Sequence, residues 1–141
     1  MKKNITYKEL ICLEAHANHY AISNAFFKEG KWIDEQTKFS SSVKNILKQI
    51  EKLKVDYDEK LEDLRINNCL EDEKTKAILR DEQGNYKFSK ESQKKLGVEH
   101  KELLKETCEI HIRITDAPSD LDVETYFTFD GILITPTEDV N

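Results

Sequence analysis

The sequence predicts a mainly α (α+β) fold: a long antiparallel helical hairpin with a small antiparallel β-sheet, a β-hairpin plus one strand, at one end. Three observations predict it. Phe39, Val43, Ile46, Ile50, Leu53 and Tyr57 recur at alternating steps of four and three, the spacing of a single apolar helix seam. Residues 10 to 27, LICLEAHANHYAISNAFF, hold one formal charge, Glu14, in an apolar helical pattern. Ile110, Ile112 and Ile114 alternate with Glu109, His111 and Arg113, the period of a strand.

Each element has its own signals. Thr6 followed by Glu9 is the T-x-x-E of a capping box, so the first helix is expected over 7–29, ending at Gly30. At 100° per residue Leu10, Leu13, Ala17, Tyr20, Ala21 and Phe27 fall on one side, and Ile11, Ala15, Ile22 and Phe26 on nearly the opposite side. A helix apolar on two sides is expected to be buried on both. Trp32 and Ile33 are expected to fold back as an anchor. The long helix is expected over 37–76, with Leu61 and Leu64 one residue late in the seam and a bend at Asn67-Asn68-Cys69, since Asn is a poor helix former. Ser42 falls on the face expected to be wet. Strand-like residues at 78–88 surround DEQG, which matches a three-residue loop with Gly84 left-handed. Ser89 caps a helix over 90–106 with Leu96, Val98, Leu103 and Leu104 as its apolar set. The strand at 108–115 is expected to pair with the hairpin. A C-terminal apolar element and tail fill 119–141, including Ile132, Leu133 and Ile134. The whole is expected to be one domain, 1–141.

Charge and composition narrow the function classes. The chain has 141 residues, 35% of them charged, and a net charge of −6. Its lysines are interleaved with acids, as in KNILKQIEKLKVDYDEKLEDL, which disfavours nucleic acid as a partner. No apolar run approaches membrane-spanning length, and no signal-peptide pattern is visible, so no membrane partner is expected. Cys12, Cys69 and Cys108 are odd in number and far apart, which suggests reduced thiols and a cytosolic origin.

Candidate chemistry is sparse. Glu9, Cys12, His16 and His19 lie within about 80° of one helix face, and C-x3-H-x2-H is a spacing that zinc accepts. The simpler reading makes Cys12 a small core residue and the histidines a helix contact, because a second pair of ligands is missing; no metal or other cofactor is expected. Asp116, Asp120, Asp122 and Glu124 lack the EF-hand order and read as caps for the next element. His100 and His111 read as solvated. None of the phosphate-loop, dinucleotide, nucleophile-elbow or metalloprotease motifs occurs, no small-molecule substrate is evident, and the expectation is not an enzyme.

The order FSSSVKNILKQIEKLKVDYDEKLEDL, then DEQGNYKF, then a helix and EIHIRIT resembles small helical-hairpin proteins of tailed-bacteriophage structural or accessory gene clusters. The similarity covers about residues 39 to 114. It implies an assembly or accessory role, with no catalytic residue to transfer. The expectation is therefore a non-enzymatic structural or accessory component, made in a bacterial host's cytoplasm and carried in the virion if the resemblance holds, that forms a homo-oligomer or joins a larger protein assembly. Ile11, Ile22, Phe26, Ile132, Leu133 and Ile134 are the expected interface, with 132–134 readable as core or contact. The alternatives are a small cytosolic adaptor or inhibitor with one protein partner and, less favoured, a metal-dependent enzyme using Cys12, His16 and His19.

Overall fold

Strand β1, Lys2–Thr6, runs directly into helix α1, Tyr7–Ser23. The computed structural model describes residues 1–24, 27–32, 37–119 and 121–136, with backbone alone at 27, 28 and 32. Phe26, Ile33 and Asp120 lie outside the described residues, as do the side chains of Phe27 and Trp32 and with them the expected anchor. The capping box is present: the Thr6 hydroxyl accepts from the Glu9 N–H and the Glu9 carboxylate accepts from the Thr6 N–H, each at 3.1 Å. The helix ends at Ser23 rather than 29. Asn24 closes it by donating to the Tyr20 carbonyl from its side chain at 2.9 Å and from its backbone at 3.0 Å. The chain then forms a small antiparallel hairpin, β2 (Phe27–Lys28) with β3 (Lys31–Trp32). Its two-residue loop, Glu29 and Gly30, has φ of 53° and 75°, the left-handed pair of a type I′ turn.

Helix α2 spans Lys38–Asn68, helix α3 Lys90–Lys105, strand β4 Thr107–His111 and helix α4 Val123–Phe129. The mainly α architecture with a small antiparallel sheet is as the sequence predicts. The chain divides into two compact units, one of Met1–Leu53 with the chain from Thr107 onward, the other Lys54–Glu106.

In the first unit, β4 pairs antiparallel with β1, Lys3 opposite Ile110 and Ile5 opposite Cys108. This corrects the expected pairing of the strand with the hairpin. The N-terminal KKNIT is too short and too polar to announce a strand, yet it places Ile5 beside Ile110 on the covered face. On the other edge of β4, Gln49 of α2 clamps His111: its Nε2 donates to the His111 carbonyl and its Oε1 accepts from the His111 N–H, both at 2.8 Å. The core joins that sheet face to Leu10, Leu13, Ala17 and Tyr20 of α1 and to Phe39, Val43, Ile46 and Ile50 of α2. Tyr20 meets Phe39 edge-on at 5.1 Å, and Phe39 meets Phe129 of α4 at 5.9 Å. Ser42, expected on a wet face, is buried, as is Ser40, because the covered arc of α2 is wider than its heptad seam.

The C-terminal apolar residues belong to this core. Asp122 caps α4 by accepting from the Thr125 N–H at 2.8 Å. Past α4 the chain turns at Gly131, φ 73°, and the N–H groups of Ile132 and Leu133 both donate to the Phe129 carbonyl. Ile132, Leu133 and Ile134 are all buried, and Thr115 pairs with Ile134 in an isolated bridge.

In the second unit, α2 stops at Asn68 instead of continuing to 76. The Asn68 side chain donates to the Leu64 carbonyl at 2.7 Å, so the break falls where the Asn pair predicts it. The 78–88 region is held by isolated bridges, Arg80 with Tyr86 and Ile78 with Glu71, rather than a regular ladder. Its loop is the expected one: Gly84 has φ 83° and donates to the Asp81 carbonyl at 3.0 Å, while the Asp81 carboxylate accepts from the N–H groups of Gln83 and Asn85. Ser89 caps α3. Leu103 is buried in this unit, but Val98 is 62% exposed, because it lies about 140° around the helix from Leu103. His100 is half-buried rather than solvated, and its Nε2 lies 2.7 Å from the buried Tyr57 hydroxyl. Burial is the main cause that raises the Tyr57 pKa above the ordinary phenol value, with the neighbouring Asp58 carboxylate adding to it.

Candidate functional site

The residues singled out for metal chemistry come apart in the structure. Glu9 is committed to the cap of α1, Cys12 is exposed, and His19 is exposed. His16 turns to α4, with Nδ1 3.1 Å from the hydroxyl of Thr125. Among the described residues no three His, Cys, Asp or Glu side chains converge as a metal site. Thr125 is buried and its backbone N–H is held by Asp122, whose carboxyl sits below the usual carboxylate range. The hydrogen bonds from Thr125 are the largest cause, and the nearby His16 and His19 act in the same direction. This His-Thr-Asp grouping is not a nucleophilic triad. In a triad the carboxylate orients the imidazole, whereas here Asp122 holds the amide of a helix and the hydroxyl is sealed in the core. It ties α4 to α1. Thr125 carries no sequence signal beyond its place in D-x-x-T, where a Thr side chain is ordinary.

A cleft of about 560 Å³ in the first unit has Tyr20, Phe39, Ile114 and Pro118 as its apolar wall and Lys38 and Asp116 as its charged groups. Its other lining residues are Thr37, Thr115 and Thr135, and none of its described lining residues is a histidine or a cysteine. A second, polar cleft of about 530 Å³ lies in the other unit beside the 78–88 loop. There the Arg80 guanidinium stacks over Tyr86 at 4.5 Å and donates to the Gly84 carbonyl at 2.8 Å, and the Tyr86 hydroxyl donates to Glu62, which also pairs with Arg65 at 3.6 Å. The bond to Glu62 raises the Tyr86 pKa, since ionisation would lose it. Arg80, Tyr86 and Arg65 thus each have a partner within the chain, and together they brace the loop.

The expected interface residues separate into two groups. Ile132, Leu133 and Ile134 fill the chain's own core and offer no contact surface, which corrects their place in the interface. The outer side of α1 stays open among the described residues: Ile22 is 64% exposed, Ala15 is exposed and Ile11 is half-buried. The expectation that α1 is buried on both sides therefore fails within the chain, because α2, α4 and the sheet all pack on its Leu10–Leu13–Ala17 side. Beside Ile22 a groove of about 260 Å³ runs between α1 and α2, lined by Ala21 and Leu47 and by the polar Glu14, Asn18, Lys48 and Glu51. On α4, Val123 and Phe127 are 68% and 70% exposed and share one helical face.

Compared with known proteins, the chain matches no family model, no curated protein and no solved structure. No helix among the described residues is long and apolar enough to cross a membrane.

Proposed function

We propose that the chain is a non-enzymatic structural or accessory protein of the phage type its sequence resembles, one that works by packing helices against copies of itself or a larger assembly. Production in a bacterial host's cytoplasm, and a place in the virion, belong to the same reading. The observation that carries it is the outer face of α1: Ile22, on a capped and regular helix, stays 64% exposed beside a groove that runs between α1 and α2. Covering an isoleucine fully is worth about 1.5–3 kcal/mol, so most of that gain is still available to a partner surface.

Light scattering of the purified protein tests the reading. An oligomer is expected, and Ile22→Lys should shift it to monomer while the helical circular dichroism stays the same, since an exposed position accommodates lysine. A monodisperse monomer at high concentration, unchanged by Ile22→Lys, would refute self-assembly through this face.

A further inference from the structure

We infer that the groove between α2 and α3 in the second unit is a docking site for a lysine- or arginine-rich amphipathic helix of a partner protein. The groove has a volume of about 630 Å³, and its apolar lining is Leu64 and Leu103 with Val98 at the exposed rim. Its lining residues recur at helical steps, 60, 63 and 64 on α2 and 98, 99, 102 and 103 on α3 with 106 at the C-cap of α3, so it runs along the helices instead of forming a round pocket. A trough of this form takes a third helix on its apolar side; it has no strand edge to pair with an extended peptide.

Charge selects the partner. Asp63, Glu99, Glu102 and Glu106 line the groove against the single lysine Lys60. Three of those carboxylates pair with exposed lysines, Glu106 with Lys60 at 3.8 Å, Glu102 with Lys105 at 3.3 Å and Glu99 with Lys95 at 3.8 Å. Exposed pairs of this kind are weak and readily exchanged for pairs to an incoming cation. An anionic helix or lipid surface would meet the carboxylates and be repelled. A second copy of this chain is a poorer occupant: of its two lysine-rich helical segments, 38–54 already buries Phe39, Val43, Ile46 and Ile50 in its core, and 90–105 is itself a wall of the groove. The site is separate from the α1 face of the proposed assembly contact and does not depend on it.

The test uses the full-length protein and a labelled synthetic helix of about 18 residues, with leucines at every third and fourth position flanked by lysines, read by fluorescence anisotropy. Binding is expected, weakening several-fold between about 50 and 300 mM salt. Val98→Asp should weaken it at least about tenfold with the melting temperature unchanged, because Val98 is exposed before binding. Glu102→Lys should weaken it several-fold, and Ile22→Lys should leave it as it was, which keeps this result distinct from that of the assembly test. Equal binding of a peptide with its leucines scrambled, equal binding by Val98→Asp, or no binding at millimolar protein overturns the inference. So does a fall in the mass of the protein alone on Val98→Asp, which would make another copy the occupant.

Discussion

Replacing Gln49 by alanine removes the clamp between α2 and the outer edge of β4. The Gln49 amide makes two 2.8 Å bonds to the His111 backbone, and its Nε2 also lies 3.1 Å from Asn45 Oδ1, so it stands where a third strand would pair. His111 is exposed, and water replaces the lost partners; the full cost of an orphaned buried group does not apply. Two bonds at about 0.5–1.5 kcal/mol each, less a few tenths returned by the better helix propensity of alanine, give a loss of about 1–2 kcal/mol. For a chain of this size that lowers the melting temperature by roughly 3–6 °C. Amide hydrogen exchange supplies the sharper assay. The His111 amide should lose protection in Gln49→Ala and keep much of it in Gln49→Glu, which preserves the acceptor but not the donor. Amides of α3, in the other unit, should be unaffected. A His111 amide that exchanges equally fast in the native protein and in Gln49→Ala would refute the clamp.

Three further outcomes are expected. Gly84→Val should destabilise by about 1 kcal/mol or more in urea unfolding, from backbone strain alone, because φ is 83° and nothing lies within 4 Å of an added Cβ; Gly84→Asn should cost less. Leu133→Ala should cost about 2–5 kcal/mol as a cavity in a closed core, while Ile22→Ala should cost well under 1 kcal/mol in the monomer, and equal losses would mean that the two positions have the same surroundings. Asp122 has its folded-state pKa lowered, so its contribution is present above the unfolded carboxyl value near about 3.9 and is lost as pH falls through the folded value. Asp122→Asn, which keeps a competent cap, should therefore flatten the acid limb of a stability profile below about pH 4 and leave the neutral region little changed.

Local patterns in the chain were enough to place most helices. Thr6 with Glu9, Ser89 and Asp122 mark starts because a short oxygen-bearing side chain satisfies amides that a helix leaves open, and that depends on neighbours only three residues away. The Phe39 to Tyr57 seam, the break at Asn68 and the left-handed Gly84 are local in the same sense. By contrast, the partner of β4 is a matter of which distant segment reaches it, and Lys2–Thr6 competes for that edge with almost no pattern of its own. Burial of Ser40 and Ser42, the bond between His100 and Tyr57, and the turn of His16 toward Thr125 depend likewise on surfaces brought together from far along the sequence. The candidate contact surfaces divide on the same ground. Hydrophobicity marked Ile22 and the Ile132–Leu133–Ile134 run alike, since side-chain chemistry records that a residue gains by being covered. Only the packing of α4 and the sheet decided that the C-terminal run is covered by its own chain while Ile22 is left exposed.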